Sequence, residues 1–214
     1  MFFRDRSEAG QKLADKLNHF RGLEPLILAV PRGGVIVAEP VCNYLGGELD
    51  LIITRKIGAP YQSELAIGAV SGDGLIMLND QLVSRLNVDY EYINKRAGKE
   101  QKEIRRRMND YRGNQLMPEV DGRLVILIDD GVATGYTLLA ALRSLQKKQP
   151  AKLILAVPIG PADTFSILDH EVDELIFIDA PAHFAAVGQF YRDFSQVDDQ
   201  EVKIILEKTG RKGG

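Results

Sequence analysis

Five short runs rich in Leu, Ile and Val punctuate the chain at residues 25–30, 49–54, 123–129, 152–158 and 172–179. Their apolar residues are mostly consecutive rather than alternating, the pattern of strands covered on both faces of a parallel sheet. Segments with helical apolar spacing follow at 34–45, 137–148 and 162–168. This βαβ rhythm predicts an α/β fold, a doubly wound and mostly parallel sheet with flanking helices, with a ligand site at the carboxyl ends of the strands. The rhythm changes after the second run. Residues 65–70 and 75–78 flank Ser71-Gly72-Asp73-Gly74, a turn signal that predicts a β-hairpin. A long polar helix over 89–111 and a loop containing Pro118 and Gly122 come next. Beyond Asp179 the chain turns irregular and aromatic, with Pro181, His183, Phe184, Phe190, Tyr191 and Phe194, before a short helix opened by Asp198 or Asp199. The glycine-rich residues 211–214 read as a disordered tail.

Composition narrows the class. A length of 214 residues suits one domain with a substantial core, so 1–214 reads as a single domain with a small subregion at 180–210. The 27 basic against 30 acidic side chains leave a net charge of −3, which argues against a bulk polyanion binder. One cysteine, Cys42, supports neither an internal disulfide nor a cysteine metal site, and no membrane span or signal segment stands out, so a cytoplasmic protein is expected.

The most informative segment is Leu124-Val-Ile-Leu-Ile-Asp-Asp-Gly-Val-Ala-Thr-Gly-Tyr-Thr-Leu138, a buried strand that ends in two carboxylates and a small-residue turn into a helix. Gly131, Ala133 and Gly135 let backbone approach an anion, and the amides of Val132 to Thr137 point toward it at the helix start. Thr134 and Thr137 add hydroxyl donors. Asp129 and Asp130 would repel a phosphate, so they face vicinal hydroxyls, a divalent cation or a developing positive charge. A GxxxxGK[ST] loop and a GxGxxG fingerprint are both absent, which disfavours P-loop and Rossmann nucleotide binding.

This segment, Asp-Asp-Gly-x-Ala-Thr-Gly-x-Thr, resembles the 5-phosphoribosyl-1-pyrophosphate signature of the type I phosphoribosyltransferases. The resemblance implies that Asp129 and Asp130 hold the ribose hydroxyls and that Gly131, Val132, Ala133, Thr134, Gly135 and Thr137 bind the 5′-phosphate. The turn Pro31-Arg32-Gly33-Gly34, with Ala38 after it, is similar to the family's pyrophosphate loop, and Arg55-Lys56 to its second basic contact. The polar loop 57–64 would then close over bound substrate as part of a hairpin lid. Asp129, Asp130, Arg32 and Lys56 become the expected catalytic set. Ile159, Gly160, Phe184 and Tyr191 become the expected acceptor pocket, under a C-terminal hood. The implied chemistry is that of a pentosyltransferase in nucleotide salvage, with magnesium carried mainly by the substrate and no protein metal site.

Three alternatives to this picture stay open. The helix carrying Lys95, Arg96, Lys99, Lys102, Arg105, Arg106, Arg107 and Arg112 would serve a donor-sensing protein that grips RNA, although Glu103 and Arg107 at i,i+4 make a solvated face its ordinary explanation. Hydrolysis of a phosphorylated sugar without an acceptor is another. A homodimer is a third question of assembly. His19, His170 and His183 read as structural, and Cys42 as a small hydrophobe.

Overall fold

The computed structural model describes residues 2–113 and 116–209; the tail expected at 211–214 lies outside them. In chain order the elements are α1 (Arg6–Lys16), β1 (Leu26–Ala29), α2 (Gly33–Leu45), β2 (Glu48–Leu51), β3 (Thr54–Ala59), β4 (Gln62–Ser71), β5 (Ile76–Leu78), α3 (Asp80–Arg85), α4 (Tyr90–Arg112), β6 (Leu124–Ile128), α5 (Tyr136–Gln146), β7 (Lys152–Ile159), α6 (Ala162–Asp169), β8 (Glu174–Asp179) and α7 (Asp199–Thr209). Within the stretch read as one domain, the described residues pack as two compact units. The first runs up to Ile52 and includes Leu116–Thr134 and the residues from Lys148 on; the second takes Ile53 to Gly113 and Gly135–Lys147.

The first unit holds the expected sheet. Its five strands are all parallel in the order β2-β1-β6-β7-β8. The apolar runs explain the pairing: Leu26 to Ala29 and Val125 to Ile128 are fully buried, so each strand needs cover on both faces. Helix α1 lies against β7 and β8, α2 against β1, β2 and β6, and the two helices pack on each other. Chain order reverses direction between β1 and β6, the switch point at which open α/β sheets leave a crevice beyond the strand ends.

Gly10 sets the approach of α1 to α2, because a Cβ there would stand 2.3 Å from the Val37 carbonyl oxygen and 2.5 Å from Pro40 Cγ. Gly10→Ala is therefore expected to cost about 1–3 kcal/mol of stability, as is typical of an overpacked contact, and to lower the unfolding temperature read by thermal denaturation.

The second unit is built on an antiparallel sheet in the order β3-β4-β5. Ile57, Ile67, Val70, Ile93, Ala97 and Ile104 form its core, with α4 and α5 against the sheet. Two expectations are corrected here. The apolar run 49–54 is not one strand: β2 ends at Leu51 and β3 begins at Thr54, so Arg55 and Lys56 lie inside an antiparallel strand rather than at the end of a parallel one. The stretch 57–64 is not a loop but the paired ends of β3 and β4 around Pro60 and Tyr61, with Tyr61 in the left-handed region at φ 63°. The hairpin formed by β4 and β5 is as expected, closed by the Ser71 amide donating to the Leu75 carbonyl at 3.0 Å.

Along α4 part of the positive charge is paired. Arg107 meets Glu103 at 2.9 Å, Arg106 meets both Glu103 and Asp110, and the buried Glu100 takes Arg55 and Arg96. The Glu103 carboxyl is accordingly held down at about 2 by its arginine partners. Among the described residues, no helix is long and apolar enough to cross a membrane.

Candidate active site at the ends of β1 and β6

The two acids follow β6 directly. Asp129 Oδ1 accepts the Asp130 amide at 2.8 Å, and Asp130 Oδ2 accepts from Arg6 Nε at 2.7 Å. Among the described residues, no donor from another residue meets the remaining oxygens, Asp129 Oδ2 and Asp130 Oδ1. Two carboxylates side by side in low dielectric repel and lose hydration. Burial pushes the Asp129 carboxyl well above the usual carboxylate range, and the charge of Asp130 pushes it further. Burial raises Asp130 too, against the pull of its Arg6 bond.

The turn after β1 closes over these acids. Val30 donates to the Ile128 carbonyl at 2.9 Å, which brings the glycines that follow against the end of β6. A Cβ on Gly33 would stand 1.9 Å from Asp130 Oδ2, and one on Gly34 would stand 2.9 Å from the Ile128 carbonyl and 3.2 Å from Asp129 Oδ1. The expected close approach is thus to a carboxylate at Gly33 and chiefly to the backbone at the end of β6 at Gly34. Arg32 precedes α2, half-buried, with Nη1 4.0 Å from Asp199 Oδ1, and the Pro31–Arg32 peptide bond is cis.

The small-residue loop leaves β6 at Gly131, where a side chain would collide with Val187 Cγ1 at 2.5 Å. The Val132 amide does not point outward as expected, since it donates to the Ile159 carbonyl at 2.9 Å. Ala133 and Thr134 are exposed, and their amides meet no acceptor among the described residues. The Ala133 carbonyl is held by Thr164 Oγ1 at 2.8 Å, which fixes the loop from its far side. Gly135, at φ 78°, then turns the chain into α5. Thr137, Arg55 and Lys56 belong to the second unit; the Thr137 carbonyl accepts from Thr54 Oγ1, and the Arg55 guanidinium is engaged by Glu100.

The expected acceptor residues gather in one apolar cluster, with Phe3, Ala9, Ile159, Phe190 and Tyr191 buried and Phe184 packed on its edge. Gly160 fits because a Cβ would strike Val132 Cγ1 at 2.4 Å. Tyr191 faces inward: its hydroxyl donates to the Asp130 carbonyl oxygen at 2.6 Å, and its ring lies between Phe3 and Phe194. Burial and the nearby Asp130 charge push its hydroxyl well above the ordinary phenol range. Phe184, stacked on Phe190 at 5.4 Å, keeps a half-exposed face.

Sequence reasoning misses Arg6. The one local signal is Asp5 followed by Glu8, a helix start in which Asp5 Oδ1 accepts the Glu8 amide at 2.8 Å. Nothing local links Arg6 to an acid 124 positions away.

Residues 6–194 match the family model described as a phosphoribosyl transferase domain. Two curated Mycobacterium tuberculosis relatives, the provisionally named phosphoribosyl transferases MT0597 and Rv0571c, are each 39% identical over 209 residues, which is 98% of this chain and 47% of theirs. The chain thus spans about half the length of those relatives. The crystal structure of TT1426 from Thermus thermophilus is 38% identical with a TM-score of 0.82, covering 99% of this chain and 100% of that one. Since the family model spans most of the chain and takes in the strand, the acid pair and the turn that covers it, this chain belongs to the phosphoribosyl transferase domain family.

Proposed function

We propose that the chain transfers phosphoribose from 5-phosphoribosyl-1-pyrophosphate to a nitrogen acceptor, a nucleobase, with release of pyrophosphate. The observation that carries the reading is the acid pair: each carboxylate gives one oxygen to a neighbouring donor and keeps one that meets no other residue's donor among the described residues. Two such oxygens, on adjacent residues at the switch point of the sheet, suit the two vicinal hydroxyls of a ribose. The exposed amides of Ala133 and Thr134 suit its 5′-phosphate. Arg32 supplies a planar fork for pyrophosphate oxygens.

The bond from the anomeric carbon to pyrophosphate breaks with its electrons on the leaving group, and a bond from nitrogen to that carbon forms as the nitrogen loses its proton. The protein's part is to hold donor and acceptor in line, keep water out and place Asp129 and Asp130 near the positive charge that grows on the ribose ring. Magnesium belongs to this reading as a companion of the donor's own oxygens, where it would neutralise pyrophosphate charge. Phe184 offers the half-exposed ring on which a planar base would stack.

Calorimetric titration of the protein with the donor and magnesium tests the reading, followed by assay of pyrophosphate release with and without nucleobases. Saturable donor binding and base-dependent release are expected. Absence of donor binding overturns the reading, and release that needs no base replaces transfer with hydrolysis.

A further inference from the structure

We propose that Arg6 is a positioning residue of the donor site, holding one oxygen of Asp130 so that the other is presented to the substrate, while the same guanidinium fastens the C-terminal hood. The inference rests on the reading of Asp129 and Asp130 as ribose ligands.

Helix chemistry does not account for an arginine at this place. Arg6 is the first residue of α1, where the helix dipole favours the acids Asp5 and Glu8 and disfavours a cation. Its side chain is only 11% exposed, so its charge needs a partner. The partners come from two distant segments. Nε donates to Asp130 Oδ2 at 2.7 Å, Nη1 donates to the Ser195 carbonyl at 2.9 Å, and the guanidinium lies 3.8 Å over the Phe194 ring. A planar fork makes these contacts together; a lysine, as a single point charge, reproduces the attraction but not the geometry.

The hood has attachments besides Arg6. Phe3 donates to the Phe190 carbonyl at 2.7 Å, Arg192 and Asp193 donate back to Phe3 and Arg4 at 2.9 Å, and Tyr191 reaches the Asp130 carbonyl. What Arg6 supplies, among the described residues, is a countercharge and a fixed plane for the Asp130 carboxylate. The groups that face this carboxylate are Arg6 from α1, Asp129 beside it, the Tyr191 hydroxyl from the hood and the Gly33 backbone from the turn; Asp5 and Asp193 lie near Arg6 itself. Arg6 is the cation whose effect on Asp130 favours the charged form. Without it the carboxyl would hold its proton to higher pH, and a protonated carboxyl is a poorer acceptor for a ribose hydroxyl.

The test is donor affinity, measured with 5-phosphoribosyl-1-pyrophosphate and magnesium as a function of pH, for the wild-type chain, Arg6→Gln, Arg6→Lys and Phe3→Leu, each with its unfolding temperature. Arg6→Gln is expected to weaken binding at least tenfold at neutral pH and to move the acid limb of the profile upward. Arg6→Lys should fall between Arg6→Gln and wild type. Phe3→Leu, which loosens the hood through an uncharged residue, should lower the unfolding temperature and leave the acid limb in place. Wild-type affinity and profile in Arg6→Gln overturn the proposal, as does an acid limb that moves equally in Phe3→Leu. If Arg6→Gln does not fold, full wild-type affinity in Arg6→Lys overturns it. A wild-type chain that binds no donor refutes the ribose-ligand reading instead, which separates the two failures.

Discussion

Asp129→Asn is expected to raise the unfolding temperature and Asp130→Asn to lower it, although both remove most donor binding. The opposite signs follow from where the countercharge found among the described residues, Arg6, sits. Burial and the neighbouring carboxylate both press Asp129 toward its neutral form, and its one bond, from the Asp130 amide to Oδ1, is one that an asparagine oxygen can keep. An acid whose titration is raised by folding binds more protons folded than unfolded, so its charge weakens the fold above that raised value and the penalty fades as pH falls through it. Asparagine removes the penalty. A gain of about 1 kcal/mol, or roughly 2–4 °C for a chain of this size, is expected at neutral pH, shrinking on acidification.

Asp130→Asn instead takes from Arg6, which is 11% exposed, the carboxylate it is hydrogen-bonded to, leaving it in contact with the neutral Ser195 carbonyl and the Phe194 ring, with Asp129 and Asp193 as more distant charges. Removing one partner of a buried pair costs about 3–5 kcal/mol, and the nearby acids bring the cost here toward the lower end. For the donor, each substitution replaces a charged acceptor worth about 1.5–3 kcal/mol by a neutral one, a loss on the order of ten- to a hundredfold in affinity. Thermal scans at two pH values with donor titrations would check all four signs, and a destabilised Asp129→Asn would contradict the burial argument.

Adjacent glycines give the second large contrast. At Gly33 the new methyl would meet the far end of a side chain, Asp130 Oδ2 at 1.9 Å, with Arg6 Nε 2.7 Å away. The carboxylate can swing aside, but only by leaving Arg6. Gly33→Ala should therefore keep the fold and lose donor binding by about tenfold or more, the worth of one charged hydrogen bond. At Gly34 the nearest atoms are the Ile128 carbonyl oxygen and the Asp129 Cα, both backbone, at 2.9 and 3.0 Å. Strand β6 cannot swing aside, so Gly34→Ala should lower the unfolding temperature more than Gly33→Ala does. Paired melting curves and titrations decide it; equal melting losses would mean that the turn after β1 yields as a body.

The buried parallel strands are readable in the amino-acid order because burial on both faces demands unbroken apolar runs, as at Val125 to Ile128. The same signal misleads at residues 49–54, where Ile52 and Ile53 stay buried while the chain passes from one sheet to the other. An apolar run reports burial and says nothing of the sheet that provides it. Helix α1 hides for the opposite reason: Ala9, Gly10, Leu13 and Ala14 make a narrow stripe of mostly small residues in a polar segment. The acid pair and its glycines are local in sequence and so can be found there. Arg6 and Tyr191 reach the same acid from opposite ends of the chain, and no spacing rule spans such distances.

The bond between Arg6 and Ser195 joins positions 189 apart, and Phe3 pairs with Tyr191 over nearly the same span. Contacts so remote in sequence carry the full entropy of closing a long loop and form late. During synthesis, α1 leaves the ribosome well before the hood that will receive it. The strand, the turn and the acids can already be in place while Arg6 still waits. The chain is therefore expected to assemble its sheet before it completes the setting of its two carboxylates, which makes that setting the part most exposed to interrupted translation.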